Sequence, residues 1–342
     1  MSINRQFIAP RNNLDEVSFA RPILILQVVL YHAMAIHVGS WDMPEGVLII
    51  PAYQAIGKIV YAFMLEAFVF ISGYVWAYQR ETKGKVDSMW KLCLKKAQRL
   101  ILPSIIFGII YILLYHRDQL DFIHIIEGPG HLWFLPMLFE CFIAGWCILS
   151  IKHIPPIWIV VFLFAVAVIR PMGLPLRLSY TMYYLPFFMS GYYIYREYDL
   201  LRDKSSKTMT ITSWIAFLLF YFGLVLVRGR IITSCHNQFL LQVGKEGCTV
   251  LYASIGIFAL LMTSIYVTRT RSLSKWYVQM GGFCMGVYVF QQFVLWGLYY
   301  KTPFLHDVNP YVAPWIGFSI ALTVSWLLTY ILKKIKIGNY LF

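Results

Sequence analysis

The chain has 342 residues, of which 59% are hydrophobic, 18% aromatic and only 13% charged, and its mean hydropathy is +0.65. Soluble domains carry about 25% charged residues, so this composition excludes an ordinary soluble enzyme and points to a polytopic membrane protein. The net charge of +13 does not indicate a nucleic-acid partner, because the basic residues cluster between apolar stretches, as juxtamembrane residues do.

No long polar block interrupts the chain, which reads as a single integral membrane domain over 1–342. The first twenty residues are polar and mixed in charge, and no small-residue cleavage site follows the first apolar stretch, so that stretch is expected to be retained. The six cysteines lack metal spacing such as Cys-x-x-Cys, and no metal is expected. Cys93, Cys141, Cys147 and Cys284 read as small apolar residues, while Cys235 and Cys248 flank an outer loop and leave a disulfide open.

Apolar windows predict an all-α transmembrane bundle of about ten spans: 19–38, 58–79, 100–116, 131–150, 156–170, 179–195, 210–227, 247–267, 279–299 and 311–332. The fifth and sixth are short. In this arrangement 21 of the 29 basic residues fall on the N-terminal side, including the 80–99 loop, Lys152 and the Lys333-Lys334-Ile-Lys336 end. The positive-inside rule then places both termini in the cytoplasm.

Few ionisable groups lie within the spans. The first begins Arg21-Pro-Ile-Leu-Ile-Leu-Gln-Val-Val-Leu-Tyr-His32. Eleven steps of a helix return to within about 20° of the starting direction and rise roughly 16 Å, so Arg21 at the edge and His32 near mid-depth share one face. Glu66 lies about 12 Å down the second span and Glu140 about 13 Å down the fourth, close to the depth of His32. Groups of this kind are expensive inside a bilayer and mark function. An imidazole there is a candidate general base if a carboxylate fixes its tautomer, and Glu66 and Glu140 are the candidates. Structural hydrogen bonding between helices explains all three equally well.

Lys95-Lys96-Ala-Gln-Arg99-Leu-Ile-Leu-Pro103 runs into the third span from the cytoplasmic side and, with Arg21, forms a cationic rim. Such a rim enforces topology against anionic lipid, or clamps the phosphates of an anionic cofactor. Phe68-Val-Phe-Ile-Ser-Gly-Tyr74 puts Ser72 and Gly73 inside a span, where small residues permit close helix packing and Ser72 is a candidate polar wall. Pro186-Phe-Phe-Met-Ser-Gly-Tyr192 resembles it, over too short a length to define a repeat. His131-Leu-Trp-Phe-Leu135 opens the fourth span, and Arg170 and Arg177 lie in an outer loop near Tyr183 and Tyr184. Arginine and aromatic residues suit an anionic or carbohydrate acceptor, and are also ordinary interface residues.

Together these elements resemble the membrane-bound acyltransferase 3 family of bacterial enzymes that O-acylate surface glycans (fucose 4-O-acetylase-like). Arg21 to His32 matches its arginine-ten-residues-histidine motif. Lys95 to Pro103 is similar to its basic run before span three, Phe68 to Tyr74 to its Phe-Phe-x-x-Ser-Gly motif, and His131 to Leu135 to its His-Leu-Trp-Phe-Leu element. The chain departs from the family pattern at Phe19-Ala-Arg-Pro22, which replaces the usual surroundings of the arginine. It departs again at Tyr288-Val-Phe-Gln-Gln292, where many members carry a histidine; Gln291 and Gln292 remain there as polar wall.

The resemblance implies a membrane O-acyltransferase of the bacterial cytoplasmic (inner) membrane, taking acetyl from acetyl-CoA to a hydroxyl of a surface polysaccharide or lipid-linked glycan. In that reading His32 is the base, with Glu66 and Glu140 as candidate partners. Arg21, Lys95, Lys96 and Arg99 hold the donor phosphates, and Ser72, His131, Trp133, Arg170 and Arg177 line the acceptor side. The alternative is a transporter or flippase of a glycan or lipid intermediate, with His32, Glu66 and Glu140 lining its path.

Overall fold

The computed structural model describes residues 13–42, 47–117, 120–151, 153–302, 305, 308–335 and 341. Expectations that rest on residues 1–12, Lys152 and Lys336 lie outside the described residues. The described residues form helices and no strand. In chain order the helices are α1 (Asp15–Ala33), α2 (Ala35–Val38), α3 (Pro51–Tyr61), α4 (Met64–Ala77), α5 (Met89–Lys96), α6 (Leu102–Tyr115), α7 (Phe122–Glu127) and α8 (Phe134–Leu149). There follow α9 (Pro156–Ile169), α10 (Leu178–Arg196), α11 (Tyr198–Lys204), α12 (Lys207–Ser234), α13 (Gln238–Thr270), α14 (Lys275–Gly281), α15 (Cys284–Trp296) and α16 (Ala313–Lys334).

An all-helical fold is what a low-dielectric surrounding demands, because a helix satisfies its backbone groups within one segment. Every window read from the sequence falls on helix. Six helical stretches are long and apolar enough to cross a membrane: 51–82, 89–115, 130–149, 207–234, 238–270 and 313–334. A seventh is reached if α14 and the segment Cys284–Lys301, bent by 65°, count as one span. The other windows fall short for readable reasons. α1 carries Asp15, Glu16 and Arg21, α10 is rich in tyrosine, and α9 has only 14 residues.

Local chemistry sets several boundaries. Ser88, Asp121, Ser206, Asn237 and Ser274 cap α5, α7, α12, α13 and α14 through side-chain oxygens that accept backbone N–H groups. Between α5 and α6 the helix widens into a π-turn at Ala97–Ile101. Pro103 lacks the N–H that would bond the carbonyl four residues earlier, that of Arg99, so the turn relaxes there.

α1 is the central element, packed against α4, α13, α14, α15 and α16. Its Glu16 is buried and accepts a hydrogen bond from Tyr74 Oη of α4 at 2.8 Å. The closest helix pair is α4 with α10. A Cβ on Gly73 would lie 1.9 Å from the Phe188 carbonyl oxygen, and one on Gly191 would lie 2.0 Å from that of Phe70. The contact is reciprocal: each glycine of a Ser-Gly-Tyr motif meets the carbonyl three residues before the other glycine. Glu66 bonds Tyr183 at one end of the pair, and Glu81 bonds Tyr192 and Arg196 at the other, so the two helices run parallel. The likeness of 68–74 to 186–192 is thus the two halves of one interface. Lipid tails are as apolar as leucine, so such an interface is held by close backbone approach and not by hydrophobic burial.

All six cysteines are free, and Cys235 Sγ donates to the Asn237 carbonyl, so Cys235 and Cys248 are not bridged.

Candidate active site

A cavity of about 470 Å³ opens beside the C-terminal turn of α1. His32 stands in its wall with His131, Trp133, Tyr288 and Gln292, and aromatic side chains supply most of the remaining surface, among them Tyr31, Trp41, Tyr61, Tyr111 and Trp296. His32 is half-buried. Its Nδ1 lies 3.1 Å from Gln291 Oε1 and Trp41 stacks on its ring, with centroids 5.7 Å apart. With the Gln291 amide oxygen turned to it, Nδ1 carries the proton and Nε2 keeps its lone pair.

His131 reaches the cavity because of the turn Gly128-Pro129-Gly130. Gly128 and Gly130 have φ of +78° and +56°, values that favour glycine. A Cβ on Gly128 would sit 2.7 Å from the Leu132 backbone, and one on Gly130 would sit 2.9 Å from the Tyr111 ring. The buried His131 is then held entirely by α15. Its Nε2 donates to the Val289 carbonyl at 2.9 Å, its backbone N–H donates to Gln292 Oε1 at 2.9 Å, and Tyr288 Oη donates to its carbonyl. Because a carbonyl cannot donate, the lone pair of His131 must be on Nδ1, which is buried and has no partner among the described residues. The two imidazole centroids are 6.4 Å apart.

Neither carboxylate is the partner of His32. Glu66 is buried and accepts from Tyr183 Oη at 3.0 Å, and Glu140 accepts from Thr181 Oγ1 at 2.5 Å. Similar depth did not imply a shared lateral position, because α4 and α8 direct these side chains at α10 and not at α1. The place expected for a carboxylate is taken by the neutral amide of Gln291.

At the other end of α1, Arg21 lines a second cavity of about 470 Å³ with Asn13, Ser18, Thr268, Arg271 and Ser272. Lys96 lies within electrostatic reach of Arg21, Arg99 and Lys95, so the rim read from the sequence is a cluster in space. Its members differ in availability. Lys95 Nζ is held by both oxygens of Asp87, at 2.8 and 2.7 Å, and Lys96 Nζ sits 3.6 Å over the Phe142 ring. Arg99 is exposed. Lys95 keeps the Asp87 carboxyl below its usual range through that hydrogen bond.

The expected acceptor-side residues divide. Trp133 lines the first cavity, with Tyr180 4.7 Å from it between centroids. Ser72 Oγ donates to the Phe68 carbonyl of its own helix and lines neither of these two cavities. Arg170 pairs with Glu246 at 3.1 Å and lies 4.5 Å over the Tyr183 ring. Arg177 pairs with Glu127 at 3.2 Å, on a turn where Leu176 and Arg177 both have positive φ. Both arginines therefore tie helices together.

Trp41, Tyr61, Tyr111, Trp296 and Arg271 were not singled out from the sequence. The signal for the four aromatic residues was the concentration of Tyr and Trp near span ends, which interfacial anchoring produces as well, and Arg271 stood only as one basic residue between spans. Among the described residues no group of three or more His, Cys, Asp or Glu side chains is placed to hold a metal ion.

The chain matches the family model of the acyltransferase 3 acyltransferase domain over residues 14–332. No curated protein and no solved structure matches it. The match takes in Arg21, His32, His131 and every lining residue named above except Asn13, and the chain belongs to the acyltransferase 3 family.

Proposed function

We propose that this membrane acyltransferase moves an acetyl group from acetyl-CoA to a hydroxyl of a surface polysaccharide or lipid-linked glycan, in the bacterial cytoplasmic membrane, with both termini in the cytosol. The observation that carries the proposal is a single helix, α1, with a cavity at each end: Arg21 beside Arg271 in one, His32 beside His131 in the other. The two ends are separated by roughly 16 Å along the helix, a distance suited to the pantetheine arm of coenzyme A. The cationic end would hold the donor phosphates through charge-assisted hydrogen bonds. The aromatic end offers flat apolar faces to a sugar ring.

His32 acts as general base in this reading. Its Nε2 takes the hydroxyl proton as the oxygen attacks the thioester carbonyl, and returns it to sulfur as the C–S bond breaks. Trp41, stacked on the ring, stabilises the transient imidazolium through its π face. Glu66 and Glu140 hold α10 in place through Tyr183 and Thr181. The transport alternative has less support, because neither carboxylate lines a cavity with His32.

Purified protein with radiolabelled acetyl-CoA and glycan-bearing membranes tests the proposal. His32→Ala is expected to abolish label transfer while leaving membrane insertion and melting temperature near wild type, and Arg21→Ala to raise the donor KM. Full transfer by His32→Ala would overturn the mechanism, and wild type unable to consume the thioester would overturn the function.

A further inference from the structure

Gln292 is tied to the site by one bond whose direction is unambiguous. The backbone N–H of His131 is a donor, so the side-chain atom 2.9 Å from it must be the amide oxygen of Gln292. That fixes the amide plane, a choice otherwise open for a glutamine. The residue is buried at 5% exposure and lines the cavity that holds His32. Its NH₂ group has no protein partner among the described residues and, unlike Gln291 Nε2 and His131 Nδ1, is not fully enclosed. The group is therefore a donor turned to the cavity. Two other polar groups of the wall do not offer the same thing: His131 Nε2–H is spent on the Val289 carbonyl, and Tyr288 Oη on the His131 carbonyl.

We infer that Gln292 donates to the oxyanion of the acyl-transfer intermediate. The inference rests on the acyl-transfer reading above and assigns a residue to the step that reading leaves unassisted. When the glycan hydroxyl oxygen bonds to the thioester carbon, the carbonyl π pair moves onto oxygen and the hydroxyl proton moves to His32 Nε2. The negative oxygen then needs donors already in place, because a preorganised donor costs no reorganisation during the step. The oxyanion pair returns to re-form C=O, the C–S bond breaks, and the thiolate leaves with the proton from the imidazolium. The loop that carries His131 thus presets the donor: its N–H holds the amide oxygen, and the NH₂ end faces the reacting carbonyl.

Gln292→Glu tests this with little change in shape. The ionised carboxylate still accepts from the His131 N–H but has no hydrogen to offer, and Gln292→Met, which cannot donate in any protonation state, controls for a protonated acid. Label transfer from acetyl-CoA is expected to lose about 10²–10³ in kcat, with the donor KM and melting temperature within a small factor of wild type. Two coenzyme A analogues separate catalysis from structure. A trifluoromethyl ketone analogue, whose hydrate mimics the tetrahedral adduct, is expected to bind Gln292→Met about 100-fold more weakly. The S-ethyl thioether, which has no carbonyl, is expected to bind both proteins equally. A variant kcat within threefold of wild type, or equal losses for the two analogues, overturns the donor role. Wild type unable to consume acetyl-CoA overturns the acyl-transfer reading, and the donor role with it.

Discussion

Substituting alanine for Gly73 or Gly191 probes the closest contact in the fold. Ordinary contact for a Cβ begins at 3.4 Å, whereas the added atoms would lie 1.9 Å and 2.0 Å from the carbonyl oxygens of Phe188 and Phe70. Each substitution alone therefore requires α4 and α10 to separate by about 1.5 Å, since backbone cannot swing aside as a side chain can. Overpacking of this size costs roughly 1–3 kcal/mol, occasionally more. The reciprocal geometry adds a sharper expectation. One separation relieves both clashes, so Gly73→Ala with Gly191→Ala should cost little more than either alone. Thermal unfolding in detergent of the wild type, both single variants and the double variant closes the cycle. Strict additivity would refute the shared separation, and a neutral Gly73→Ala would refute the close approach itself.

Glu246→Ala leaves Arg170 buried without its carboxylate and should destabilise by about 3–5 kcal/mol, while Arg170→Met with Glu246→Leu should be much milder, as read by melting temperature. The Asp87–Lys95 pair is exposed and small in effect, and its pH dependence has a definite sign. The Asp87 carboxyl lies below its ordinary 3.8, so the pair's contribution is complete above that value and is lost as pH falls through the lower, folded value. The melting-temperature gap between wild type and Asp87→Asn should therefore be constant from pH 7 to 5 and close below pH 4; a gap that widened in acid would contradict it.

The helical class was legible because twenty-residue apolar windows are a strong periodic signal, and Arg21 and His32 were placed on one face by helix geometry alone. The partner of His32 was not legible. Gln291 lies 259 residues away in the chain, and an amide in an apolar span has no charge to draw attention. The expectation of Glu66 or Glu140 used depth, one coordinate of three, and the lateral direction of a side chain depends on which helices are neighbours. Ser72 shows the same limit: a hydroxyl in a span has its own helix's carbonyl available, and bonds it unless another partner competes. The Ser-Gly-Tyr likeness carried real information, but that the two motifs face each other required the fold.

Between the two cavities α1 presents buried apolar side chains. On the face of α1 that joins Arg21 to His32, Ile25 and Val28 are buried at 4% and 1% exposure, and Val28 already borders the upper cavity. From Arg21 to Val28 the helix rises only about 10 Å, a third of a hydrocarbon core of about 30 Å. Were water to fill both cavities, most of a transmembrane voltage would fall across this apolar stretch, and one elementary charge crossing it would work against about 2.3 kcal/mol per 100 mV. A thioester arm is uncharged at its reactive end, and in the mechanism above the proton removed from the hydroxyl returns to sulfur. Acyl groups would then pass this stretch without moving net charge, so the enzyme would run at the same rate in energised and de-energised membranes.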